Sequence, residues 1–88
     1  MKSIIIEYDL KNDSSDYKDL YDYIKSFNVW AHITESTWFV KTDNSCVDIR
    51  NSISKIVEDS DSIFVAELTG VAAWQNVICN NNFLKENL

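Results

Sequence analysis

Three consecutive isoleucines followed by Glu, Tyr and Asp, within the stretch Lys2–Leu10 (KSIIIEYDL), constrain this chain more than any other segment. β-Branched side chains are stiff at χ1 and pack well on a pleated surface, so Ser3–Asp9 reads as a strand. A period of two sends Ile4, Ile6 and Tyr8 to one face and Ile5, Glu7 and Asp9 to the other. The rest of the chain reads as packing for that strand. Asp9, at its end, has the strongest claim to chemistry.

Behind it comes a polar turn, Lys11–Ser15, in which Asp13, Ser14 or Ser15 is placed to cap a helix. Tyr17, Leu20, Tyr21, Ile24 and Phe27 then recur at three- and four-residue intervals, an amphipathic helix signature. Asp16, Asp19 and Asp22 lie toward its N-terminus, where carboxylates complement the dipole. Val29–Ile33 and Thr37–Thr42 read as strands, and the short Thr34–Ser36 turn between them predicts an antiparallel hairpin. Asp43-Asn44-Ser45 caps a second helix, with Asp48 as the acidic member of a capping box if Ser45 is the cap; Cys46, Ile49, Ile53, Ile56 and Val57 form its buried stripe. Ser62–Leu68 is a fourth strand, broken by Gly70. Val71–Ile78 is apolar without a clear period, and Asn80–Asn82 caps a final short helix, Phe83–Leu88.

The order is βαββαβ plus a tail. The expected fold class is α+β: a ferredoxin-like antiparallel sheet with two helices on one face, as a single domain over 1–88 with a core at 1–68 and a C-terminal tail at 69–88. If Ile4, Ile6, Tyr8, Val29, Ala31, Ile33, Trp38, Val40, Phe64, Ala66 and Leu68 face the helices, then Ile5, Trp30, Phe39, Ile63 and Val65 are left on the far side. An apolar patch of that size marks an interface. Either the tail or a second copy must cover it, and the expectation is a homodimer with sheet near sheet, partly closed by the tails.

Composition narrows the functions. Eighty-eight residues suffice for one modest core. No apolar run approaches the roughly 20 residues that span a bilayer, which argues against a membrane partner. The N-terminus lacks the cleavage site of a secretory signal, so a cytoplasmic location is expected. Cys46 and Cys79 are too far apart for a C-x-x-C metal site and read as reduced thiols. Fourteen acidic against eight basic side chains leave a net charge of −6. That balance argues against tight non-specific nucleic-acid binding and suits a divalent metal or a basic protein surface.

A strand ending in Tyr8-Asp9, an aromatic-rich helix, the Ser36-Thr37-Trp38-Phe39-Val40 strand and a closing strand together resemble the small CRISPR-associated adaptation subunit, with the virulence-associated protein D nucleases as its relatives. YDL near the start, STWFVKT, ELTGVAAW and the terminal FLKENL look more closely like small adaptation-subunit-like or "SinR family" proteins. The similarity covers nearly the whole chain. It implies a ferredoxin-like homodimer in which Asp9 lies beside its symmetry mate at a dimer groove, there holding Mg²⁺ or Mn²⁺ in members that cleave RNA or DNA. Tyr8 and Ser36 fall on matching positions, as groove-lining residues. This chain departs from the family in lacking an arginine soon after Tyr8-Asp9 and in its acidic balance.

Other chemistries find little support. His32, the sole histidine, is the natural proton carrier near neutral pH and is expected on the open face with Trp30, but no nucleophile is partnered with it. Serine hydrolase chemistry lacks its G-x-S-x-G turn, and one glycine cannot build a phosphate-cradling loop. Glu7 and Glu67 are expected on the same face as Asp9. Two functions remain: a non-catalytic interaction module, such as an assembly or inhibitor subunit docking on a basic protein, and a metal-dependent endonuclease using Asp9 of each protomer.

Overall fold

A computed structural model describes residues 1–11 and 17–88. In chain order the elements are β1 (Lys2–Asp9), α1 (Lys18–Lys25), β2 (Val29–Thr34), β3 (Thr37–Thr42), α2 (Cys46–Ser54), β4 (Ser62–Glu67) and α3 (Asn81–Asn87). The four strands form one antiparallel sheet in the order β2-β3-β1-β4. The fold is thus α+β, with β1 an inner strand between β3 and β4. The proposed caps at Asp13, Ser14 and Ser15, and Asp16, lie outside the described residues.

The helices form where capping and periodicity favour them. At α2 the Ser45 side chain accepts from the Asp48 backbone N–H at 3.1 Å, satisfying one of the orphan donors of the first turn. At α3, Asn80 Oδ1 accepts from the Asn82 N–H at 2.7 Å. Leu20 and Ile24 of α1 and Ile49 and Ile53 of α2 share one core with Ile4, Ile6, Tyr8, Trp38 and Val40. Both helices therefore cover the same side of the sheet.

Two strands have the opposite phase to the one their sequences suggest. Ile63 stands opposite Tyr8, and Val65 opposite Ile6, so both turn toward the helices and pack against the core. Phe64 and Ala66 take the far side instead. Ser62–Leu68 carries apolar groups at every second position of both sets, so its alternation holds no information about which face goes in. On β2, Trp30 pairs with Val40 and His32 with Trp38, which puts them on the helix side too, while Ala31 pairs with Phe39 on the far side. Here the inward choice is decided by aromatic stacking: the His32 ring lies 3.9 Å from Trp38, nearly parallel at 8°, and Trp30 lies 5.7 Å from Trp38. Of the five residues expected on the far side, only Ile5 and Phe39 are there. Glu67, paired with Ile4, is likewise on the helix side and away from Asp9.

The chain's own tail, one of the two covers the sequence allows, closes part of the far side. Phe39 is 0% exposed and meets Phe83 edge-on at 5.7 Å, and Leu84, next to Phe83 in α3, is buried too. The tail leaves β4 through Gly70, whose φ of 96° is the left-handed conformation glycine adopts most readily. It reaches the other edge of the sheet, where the Ile78 N–H donates to the Ile33 carbonyl at 2.8 Å, and returns as α3. Near the C-terminus the Ser3 hydroxyl donates to the Asn87 carbonyl at 3.1 Å. No helix among the described residues is long and apolar enough to cross a membrane.

Candidate functional site

Strand alternation separates the two residues of the Tyr8-Asp9 pair. Tyr8 goes inward and is 7% exposed. Its hydroxyl donates to the Glu35 carbonyl at 3.2 Å and accepts from Trp38 Nε1 at 2.9 Å. Tyr8 therefore belongs to the core. Burial pushes its phenol from 10.0 up to about 12, against the opposing pull of the Trp38 N–H.

A stability change at alkaline pH follows. The folded state holds the neutral phenol, so this contribution is complete below the unfolded value near 10.0 and is lost as pH rises through about 12. The loss amounts to at most about 3 kcal/mol. Denaturation midpoints taken across that window should fall in the wild type. In Tyr8→Phe this component of the fall should vanish.

Asp9 points the other way, into solvent at the end of β1. Its Oδ2 accepts from Lys11 Nζ at 2.6 Å, an ion pair with both side chains largely exposed. Such pairs contribute little to stability. Glu7 projects from the same face two residues earlier and accepts from Thr37 Oγ1 at 3.3 Å and Ser36 Oγ at 3.5 Å. Ser36 thus stands beside Glu7, in the turn between β2 and β3. Asp61 binds backbone: its carboxylate accepts from the Lys11 N–H at 2.8 Å and the Glu58 N–H at 3.0 Å. The Lys11 N–H above all, with the Glu58 N–H, holds the Asp61 carboxyl below the usual carboxylate range.

Opposite Glu7 on this face is Phe64, 65% exposed. The open half of the far side therefore presents an apolar ring flanked by Glu7 and Asp9, with Glu58, Asp59 and Asp61 at the adjoining turn. Sequence reasoning put Phe64 in the core and left Lys11 without a role. The signal for Lys11 was there: residues 7, 9 and 11 share one side of an extended chain.

No family model matches this chain, and no solved structure matches it.

In this protomer the Asp9 carboxylate is ion-paired with the Lys11 ammonium. Among the described residues, no group of three His, Cys, Asp or Glu side chains could hold a metal ion.

His32, Trp30 and Trp38 serve packing on the helix side. His32 Nε2 lies 3.1 Å from the Glu35 carbonyl, an acceptor that holds the Nε2–H tautomer in place. Tyr21 stacks on Trp38 at 6.0 Å, and Lys25 Nζ sits 5.5 Å from the Trp30 ring and 5.9 Å from Trp38. Both cysteines are free thiols, and burial pushes Cys79 up, away from the reactive thiolate.

Proposed function

We propose that this protein is a non-catalytic, homodimeric interaction module that docks through an acidic face on a basic protein surface, as an assembly or inhibitor subunit does. The observation that carries this reading is the Phe64 ring standing bare between carboxylates. An exposed aromatic supplies an anchor for a pocket, and the surrounding charge steers a cationic partner and sets its orientation. The Lys11–Asp9 and Ser36–Glu7 contacts keep those carboxylates on one face without burying them. The strand order, with β1 and β3 innermost and βαββαβ along the chain, supports a ferredoxin-like reading and with it the likeness to the CRISPR-associated adaptation subunit and SinR-like proteins.

The test compares proteins captured from the host by wild type, by Glu7→Lys with Asp9→Lys, and by Asp43→Lys with Glu86→Lys, which alters the net charge equally elsewhere. Basic proteins retained by the wild type and the third chain but lost by the second support the acidic face. Equal loss in both variants would reduce the effect to net charge and remove the proposal.

The alternative is a metal-dependent RNA or DNA endonuclease with Asp9 of each protomer at the dimer groove. In its favour, Glu7 and Asp9 point from one face, and a second protomer would double the donor set. Labelled RNA and DNA with Mn²⁺ or with chelator, beside Asp9→Ala, separate the two. Metal-dependent cleavage that disappears in the variant selects the nuclease.

A further inference from the structure

The sheet has two edges, and the chain treats them differently. β2 carries a register shift between His32 and Thr34, and the tail takes its Ile33 carbonyl through the Ile78 N–H. A bulge and a covering segment are how proteins prevent an edge from pairing with another chain. Among the described residues, β4 has neither protection. Its ladder with β1 runs unbroken from Ser62 to Glu67, and SIFVAE contains no lysine, proline or glycine.

The backbone groups on offer can be assigned. The Leu68 N–H donates to the Ser3 carbonyl at 2.8 Å, continuing the β1–β4 register by one residue. Antiparallel ladders alternate, so Ser62, Phe64 and Ala66 also direct their N–H and C=O groups at β1. Ile63, Val65 and Glu67 direct theirs outward, where no described residue receives them.

We infer that this outward row pairs with the same row of a second copy, antiparallel and centred on Val65, joining two four-stranded sheets into one of eight strands. The inference rests on the dimeric part of the reading above and on nothing about the partner protein. Charge and shape select the register. Centred on Val65, Phe64 lies beside Ala66 of the partner copy, large against small, and Glu67 beside its Ile63. Asp61 then meets the neutral Thr69. Shifting the centre to Phe64 sets Asp61 directly against Glu67 at both ends, a like-charge opposition that destabilises a sheet. A two-fold axis normal to the sheet also keeps both Phe64 rings and all four of the Glu7 and Asp9 side chains on one face. The acidic face is thereby doubled. Growth stops at two copies because each remaining outer edge is the protected β2.

Light scattering over a concentration series gives the first readout. The wild type should rise to twice the protomer mass by about 100 μM, and earlier in added salt, which screens the repulsion between two chains of net charge −6. Glu67→Pro removes an outward N–H, and Phe64→Lys puts an ammonium beside the seam. Both side chains are exposed, and both variants should weaken association at least about tenfold. Hydrogen exchange on the unmodified chain supplies a readout that no folding defect can confuse. The amides of Ile63, Val65 and Glu67 should exchange freely when dilute and become protected when concentrated, while those of Phe64 and Ala66 stay protected throughout. A protomer mass at every concentration overturns the inference, as does a dimer whose Val65 amide stays unprotected. Either result leaves the capture experiment above to decide the acidic face separately.

Discussion

Phe39→Ala should lose about 3–5 kcal/mol of stability, the cost of removing a fully buried aromatic and leaving a cavity. That is a large share of the roughly 5–15 kcal/mol that holds a small domain together. Phe39 is a main aromatic contact between sheet and tail, its ring perpendicular to that of Phe83 at 5.7 Å. The variant should therefore loosen α3 before it loosens the helix-side core. A guanidinium titration read by circular dichroism should show a lower midpoint. Amide exchange should show the Phe83–Leu88 segment opening at denaturant concentrations where β1 and β3 remain protected. Simultaneous loss of all segments would mean that the tail is cooperative with the rest, contrary to this expectation.

Trp38→Ala should cost a similar amount, about 3–5 kcal/mol, by a different route. The indole stacks on His32, faces Tyr21 and Trp30, and donates to the buried Tyr8 hydroxyl. Trp38→Phe keeps much of the packing but leaves that hydroxyl without its donor, and should cost about 1–3 kcal/mol. Urea titrations of the two variants should rank them in that order. A Phe variant as damaging as Ala would show that the hydrogen bond, rather than the ring, dominates the site.

Much of this architecture was legible in the residues. Ile4, Ile6 and Tyr8 face the helices as their alternation required, because a strand with one charged and one apolar set near its end has only one workable orientation. Ser45 caps α2 and Asn80 caps α3, since short polar side chains before an apolar period satisfy orphan amides locally. β2 and β4 were not legible to the same degree. Each is an edge strand with large side chains on both sides, so periodicity could not choose between them, and partners from distant segments did. For β2 those partners are the Trp38 ring and α1; for β4 they are Ile6, Tyr8 and the stripe of α2.

The candidate site divides in the same way. That Tyr8 and Asp9 must part company follows from strand geometry alone. That Asp9 meets Lys11 follows from the same alternation, whereas the exposed neighbour across the ladder, Phe64, depends on the phase of β4, which no local rule fixed.

The placement of the covering segment also affects how the molecule is made. Ile5 and Phe39 are synthesised well before Phe83 and Leu84, so their apolar side has no cover until α3 emerges. During that interval any holding chaperone or nearby nascent chain competes with α3 for the same surface. Because Ser3 is joined to Asn87, the last native contacts tie together the most distant parts of the sequence, and closure of the far side is the step that should limit the rate of folding.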